Sequence, residues 1–253
     1  MKTILSIAGS DSGGGAGIQA DIKSAEYHNV FATTVITALT AQNTKGVQAV
    51  VPIDIDFIAK QLDSVLDDFD IKAIKIGMLG NKELVKLVKT KLENRNIPII
   101  LDPVAISRAG SKLIEDDCIE ELKKLFPLSK VVTPNKYEAK EFFDVESIED
   151  ILLCEDFNTN ILFKDIDDNP DYAVDVLKTI DGKLEYFQEP RANESNTHGT
   201  GCSFSTSIAA CISKDFDLLE SIETSKKYIY EAISKAPNLG SGNGPIKHNL
   251  KDN

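Results

Sequence analysis

The chain has 253 residues, 42% of them hydrophobic and 27% charged, with a formal net charge of -12. That length holds one large α/β domain or two small ones, and the acidic balance argues against non-specific binding to nucleic acid or anionic membranes. The apolar run after Met1-Lys2 breaks at Gly9-Ser10-Asp11-Ser12, no later segment approaches ~20 apolar residues, and neither a signal peptide nor a membrane span is expected.

Four cysteines (118, 154, 202 and 211) contain no C-x-x-C pair, and the three histidines are scattered, so neither a zinc site nor a disulfide framework is suggested. A cytoplasmic protein is the expectation. Thr3–Ala8 reads as a buried first strand, followed by a glycine-rich turn from Gly9 to Gly17 and helical periodicity over Ile18–Ala25. Two nucleotide motifs can be tested on that turn. A P-loop requires lysine after Gly9-x4-Gly14, where Gly15 stands. Gly15-Ala16-Gly17-Ile18-Gln19-Ala20 satisfies the loose dinucleotide pattern, but the acid wanted roughly 20 residues on is replaced by Ala41-Gln42-Asn43-Thr44.

Phe31–Leu39, rich in β-branched residues, reads as the second strand. The Gln42-Asn43 pair just past it has two readings: a polar turn, or amides that bond a heterocycle with a donor and an acceptor side by side. Val47–Ile53 reads as a short edge strand because Pro52 lacks a donor. Asp54–Leu66 is amphipathic, with apolar residues at 55, 58, 62, 65 and 66. Ala73–Leu79 reads as a central strand, Lys82–Asn94 as a helix, and Ile97–Leu101 as an apolar strand ending at Asp102-Pro103-Val104. Asp102 is either a turn cap or a ligand at the carboxyl edge of the sheet. A helix around Ile119–Leu125 and a strand at Lys130–Val132 lead into Thr133-Pro134-Asn135. Glu138 then falls in the first turns of a helix, where it answers the helix dipole or holds a hydrated Mg²⁺.

Alternating strands and helices imply a parallel sheet covered on both faces. Asn160–Lys164 reads as another strand, Asp165–Asp171 as a solvated acidic loop, and 173–179 with 184–187 as a hairpin through Asp181-Gly182. Asn196-Thr197-His198-Gly199-Thr200-Gly201-Cys202 then opens a helix over roughly 201–213, with a second over 217–235 and a glycine-rich tail at Gly240–Pro245. Glycines and a helix N-terminus suit an anion such as phosphate, and the same field lowers the pKa of a thiol; the alternative is a tight loop with Cys202 as a small core residue. With no repeat and no linker, residues 1–253 are expected to form a single domain.

Several separated stretches together resemble one family: Ala8–Lys23, Ala38–Thr44, Lys75–Leu79, Asp102–Val104, Val132–Asn135 with Glu138, and Asn196–Cys202. They are similar to the hydroxymethylpyrimidine kinase / phosphomethylpyrimidine kinase of thiamine biosynthesis, in the ribokinase superfamily. The resemblance implies a three-layer α/β/α ribokinase-like fold with a mostly parallel central sheet. It also implies ATP-dependent phosphorylation of 4-amino-5-hydroxymethyl-2-methylpyrimidine and of its monophosphate, with Mg²⁺. The substrate-binding residues it implies are Gly9, Asp11 and Ala16 in the first loop, Gln42 on the ring edge, and Met78 and Val104 in the pocket wall. Asp102 and Glu138 would organise the metal, while Asn135, Lys164 and Thr200 would meet ATP. Gly199, Thr200, Gly201 and Cys202 would cradle the moving phosphoryl group, Cys202 taking the hydroxymethyl proton where sugar-kinase relatives carry an aspartate. Relatives of this kind are often homodimers.

The chain departs from that pattern in three places. Asp165-Ile166-Asp167-Asp168 follows Lys164 where Gly-Gly-His is usual, Ala105–Gly110 replaces a Met and a Lys-Ser-Gly turn, and the region 144–160 is short. Pyridoxal or pyridoxine kinase is the nearest alternative activity. A catalytically silent pyrimidine-binding protein and a dinucleotide-dependent oxidoreductase are remoter ones.

Overall fold

The structure, a computed structural model, describes residues 1–105, 114, 116–155, 157–167, 169–192 and 195–250. Its nine strands form one sheet: β1 (Thr3–Asp11), β2 (Phe31–Asn43), β3 (Gly46–Pro52), β4 (Ile71–Ile76), β5 (Ile99–Leu101), β6 (Val131–Val132), β7 (Asn160–Phe163), β8 (Tyr172–Lys178) and β9 (Leu184–Pro190). The spatial order is β3-β2-β1-β4-β5-β6-β7-β8-β9. The six strands from β2 to β7 run parallel, and the outer pairings β2·β3, β7·β8 and β8·β9 are antiparallel.

Side-chain alternation along the strands divides the core into two halves. Leu5, Ile7, Ile74, Ile76, Leu101, Val132 and Phe163 face one half, with α2 (Ile55–Asp68), α3 (Lys82–Leu92) and α5 (Lys136–Phe143). Ile4, Ala73, Ile100, Val131, Leu162 and Leu177 face the other, with α1 (Gly17–Tyr27), α7 (Thr200–Ser213) and α8 (Leu218–Ser234). The result is the three-layer α/β/α arrangement. The remaining helices, α4 (Asp116–Lys123) and α6 (Ile148–Leu153), are short, and the six residues of α6 agree with the reduced length of the 144–160 region. No helix among the described residues is long and apolar enough to cross a membrane.

Two boundaries bear on the site. The first strand runs to Asp11, three residues past the expected end, because its register with β2 continues through Ser10↔Leu39 and Asp11↔Thr40. The second strand runs to Asn43 rather than Leu39, because β3 folds back and pairs Gln42↔Val47 and Asn43↔Gly46. Gln42 and Asn43 are therefore residues of the strand itself, where the sequence left either a polar turn or a ring-binding amide pair just past it. A tight hairpin, unreadable from local propensity, makes the difference.

Candidate active site

All six parallel strands end on the same edge of the sheet, where open α/β sheets bind ligands. Asp11 and Gln42 lie at the ends of β1 and β2, and Gly77-Met78, Asp102, Asn135 and Lys164 lie just beyond β4, β5, β6 and β7. The N-terminus of α7 arrives at the same edge. A methyl group built on Gly201 would stand 3.6 Å from both Asp102 Oδ2 and Lys164 Nζ. Residues scattered over two hundred positions thus meet at one place.

The first glycine loop is organised by Asp11. Its carboxylate accepts the N–H groups of Gly13 (2.7 Å), Gly15 (2.9 Å) and Ala16 (2.8 Å), and Oδ2 also meets His198 Nε2 at 2.9 Å. Burial pushes the carboxyl pKa up, but the His198 hydrogen bond and the Ala16 and Gly13 N–H groups outweigh it and hold the group at about 2. Asp11 therefore holds the first glycine loop together. Ala16 is the N-cap position of α1. Gly9 stands against Met78, since a Cβ on Gly9 would come within 2.8 Å of Met78 Cε. Val104 is half-buried, with its N–H on the Asp102 carbonyl at 2.8 Å.

His198 Nε2 also lies 3.2 Å from Gln42 Nε2. A carboxylate is acceptor-only, so the Asp11 contact requires a hydrogen on His198 Nε2. Thr40 Oγ1 gives its one hydrogen to Ser10 O at 2.9 Å and stands 3.2 Å from the Gln42 amide on its other side. The Gln42 carboxamide therefore stands between His198 and Thr40 at the end of β2, beside the first glycine loop.

At the other side of the site, Lys164 Nζ pairs with Asp102 Oδ1 at 2.8 Å, with both side chains nearly buried. Burial works against the lysine's charge, but Asp102 and then Glu138 raise its pKa above the ordinary value. Glu138 is pushed up by burial first and by the Asp102 charge second, against Lys164 and two N–H groups. Its Oε2 accepts Asn135 N–H at 2.9 Å and its Oε1 meets Ala105 N–H at 3.3 Å. Asn135 Oδ1 in turn accepts the N–H groups of Tyr137 (2.9 Å) and Glu138 (3.0 Å). This capping box explains why Asn135 and Glu138 occur three apart at the start of α5. Asn135 and Lys164 are bridge partners on neighbouring strand ends.

Residues 198–202 join the two sides. Gly199 adopts φ 83°, and a Cβ on it would fall 1.8 Å from Gly15 O, so only glycine permits this approach between the first loop and α7. Thr200 bonds back to the loop before it: its Oγ1 donates to Thr197 O at 2.7 Å, and its N–H does so at 3.2 Å. The first-turn N–H groups of Gly201 and Cys202 are those that helix geometry leaves for an anion.

The Cys202 thiol departs from the expectation of a lowered pKa. Burial is the dominant influence, and Asp21 and Asp102 add to it, so that Lys75 and the Gly17 N–H fail to compensate and the pKa stands at about 11. Desolvation and two carboxylates defeat the helix dipole. The resting group is a thiol.

Beneath this thiol lies a pair not singled out from the sequence. Lys75 and Asp21 are both fully buried, 2.9 Å apart, and Asp21 also accepts the hydroxyls of Ser6 and Thr206. A lysine between Ile74 and Ile76 in a central strand was the available signal, since a buried charge requires a partner. The departure after Lys164 is also explained. Asp165 has φ 49°, a conformation that glycine adopts without strain and aspartate tolerates, and Arg191 grips its carboxylate at 2.9 and 3.1 Å. The substituted turn at 106–110 and Asp168 lie outside the described residues.

Comparison with known proteins places this geometry in a family. A family profile described as phosphomethylpyrimidine kinase matches residues 11–247. A Haemophilus influenzae protein named hydroxymethylpyrimidine/phosphomethylpyrimidine kinase is 39% identical over 98% of this chain and 97% of its own. Among solved structures, a Clostridium difficile phosphomethylpyrimidine kinase is 33% identical with a TM-score of 0.79, over 92% of this chain and 100% of that one. A Staphylococcus aureus pyridoxal kinase in complex with AMP-PCP is 26% identical with a TM-score of 0.90, over 100% of this chain and 95% of that one. Backbone shape is common to both vitamin kinases, so the distinction rests on sequence identity over nearly the full length. On that basis this chain, a ribokinase-like α/β protein, belongs to the phosphomethylpyrimidine kinase family.

Proposed function

We propose that residues 1–253 act as a single ribokinase-like kinase domain that transfers the γ-phosphoryl of ATP to 4-amino-5-hydroxymethyl-2-methylpyrimidine and then to its monophosphate. One observation carries the reading: the Gln42 carboxamide and the open N–H groups of α7 are brought to one place, with His198 against Gln42 and Gly199 against the first glycine loop. An aminopyrimidine edge offers a donor beside an acceptor, which a carboxamide matches. With the ring held under the first glycine loop against Met78, the hydroxymethyl group is directed to the α7 N-terminus.

Phosphoryl transfer depends mainly on positioning and on stabilising charge on the phosphoryl oxygens. The Gly201 and Cys202 N–H groups and Lys164 supply that stabilisation, and Asn135 flanks the nucleotide phosphates beside Lys164. Cys202 accepts the hydroxyl proton only as a thiolate, so its own proton must first pass to solvent, a step that its raised pKa opposes in the free protein.

The donor set suits Mg²⁺, since Asp102 and Glu138 offer only hard oxygen ligands and the like charges of these buried carboxylates are relieved by a cation. No group of three or more candidate ligands exists among the described residues, so water and phosphate oxygens would complete the shell. When bound, the ion neutralises phosphate charge. A second copy of this chain is the proposed partner, through the open edge strand β3, where Val47, Val50 and Val51 stand about half exposed.

A product-resolved assay with Mg-ATP and each of the pyrimidine alcohol, its monophosphate and pyridoxine tests the activity. Both pyrimidines are expected to react faster than pyridoxine. The reverse order would transfer the site to the pyridoxine branch. Absence of transfer to all three, with binding retained, would leave a pyrimidine-binding protein. Sedimentation of the parent chain and of Val51→Lys tests the dimer, which is lost in the variant if β3 forms the interface.

A further inference from the structure

The glycine-rich tail, Gly240-Ser241-Gly242-Asn243-Gly244-Pro245, is absorbed by none of the roles above, yet it crosses the site. Its upstream end holds Thr44, two residues beyond Gln42: the Ser241 and Gly242 N–H groups both donate to Thr44 Oγ1 at 3.2 Å. Its downstream end holds all three residues that precede Gly199. Gly244 N–H donates to Asn196 Oδ1 at 2.9 Å, Asn243 Oδ1 accepts Thr197 N–H at 2.8 Å, and Gly244 O accepts His198 N–H at 3.0 Å. The contacts leave no room for side chains. A Cβ on Gly242 would fall 2.1 Å from Thr44 O, and one on Gly244 would fall 2.5 Å from Asn196 Oδ1. Beyond Pro245 the chain is anchored by buried Ile246 and by His248, whose Nε2 meets Ser203 Oγ at 2.9 Å in the first turns of α7.

We propose that this strap, through Asn243, is a positioning element that sets the distance between the ring-reading end of β2 and the phosphoryl cradle of α7. The relay is explicit. Asn243 fixes Thr197, the Thr197 carbonyl holds the Thr200 hydroxyl and N–H, and Thr200 opens the helix whose next two N–H groups face the anion. Because the same strap grips Thr44, a shift at 196–200 cannot occur independently of the pocket strand. The inference rests on the proposed kinase reading for its consequence, but not for its geometry.

The test compares Asn243→Ala, which removes the acceptor, with Asn243→Asp, which keeps an oxygen in its place. Thr44→Val and Thr44→Ser repeat the comparison from the other end should Asn243→Ala fail to fold. In Asn243→Ala, backbone amide exchange in the segment 196–203 is expected to rise about tenfold, as for loss of one hydrogen bond, with remote segments unchanged. The kcat for the pyrimidine alcohol is expected to fall at least about tenfold while its KM changes less than about threefold, and Asn243→Asp to recover most of both effects. Unchanged exchange at 196–203, or an aspartate variant as impaired as the alanine one, would overturn the strap. Strap-dependent exchange in a parent protein that phosphorylates none of the three alcohols would overturn the kinase reading alone.

Discussion

Replacing Cys202 and titrating its thiol tests how the site handles the proton. The thiol pKa is raised from 9.0 to about 11, which corresponds to about 3 kcal/mol against the charged form. At pH 7.5 only about one free molecule in 3,000 then carries a thiolate. Iodoacetamide alkylation, read on the peptide containing Cys202, should rise about tenfold per pH unit from pH 7.5 to 10 without a plateau. Cys202→Ala should lower kcat by about 10²–10⁴, the range for loss of a positioned proton acceptor. A plateau in alkylation below pH 8.5 would show that the helix dipole and Lys75 outweigh burial, and would refute the raised thiol pKa. A kcat for Cys202→Ala within threefold of the parent would show that the proton goes elsewhere.

Further outcomes follow from the same geometry. Gly199→Ala forces a Cβ into the left-handed region and onto Gly15 O; about 3 kcal/mol of stability should be lost in urea unfolding, and an unchanged midpoint would deny the contact. Lys75→Met leaves the fully buried Asp21 charge unpaired and should cost about 3–5 kcal/mol, whereas Lys75→Met with Asp21→Asn should recover much of it. Equal losses in the single and double variants would refute the pairing argument. Asp11 has a folded pKa of about 2, below its ordinary 3.8. Its contribution to stability is therefore complete above pH ~4 and lost as pH falls toward 2. Thermal unfolding of Asp11→Asn should be less stable near neutrality and flatter across that acid window. Lys164→Ala should reduce kcat by about 10²–10³ through loss of charge at the phosphates; full activity would remove the lysine from the site.

Much of the architecture was legible from local pattern. Buried strands such as Ile74–Ile76 and Ile99–Leu101 announce themselves by apolar continuity, and the amphipathic stretch at 55–66 folds as α2 with Ile58, Leu62 and Leu66 inward. Asp102 was marked by its position just after such a strand, whereas Asn135 and Lys164 were named through the family resemblance. The extent of β2 was not legible, because Gln42 and Asn43 are polar and their pairing with β3 depends on a hairpin. Nor was the pairing of Lys75 with Asp21 or of Asp165 with Arg191, whose partners stand 54 and 26 positions apart.

By itself, then, the sequence determined the order of strands and helices, the edge of the sheet at which loops gather, and the family, because periodicity, glycine turns and ordered motifs are local properties of a chain. Tertiary structure alone decided the protonation of Cys202, the placing of His198 between Asp11 and Gln42, and the course of the tail over the site. Each of those depends on which charges, donors and apolar atoms surround a group in space. For Cys202 those neighbours come from residues 17, 21, 75 and 102, and no pattern confined to the segment around Cys202 can state their balance.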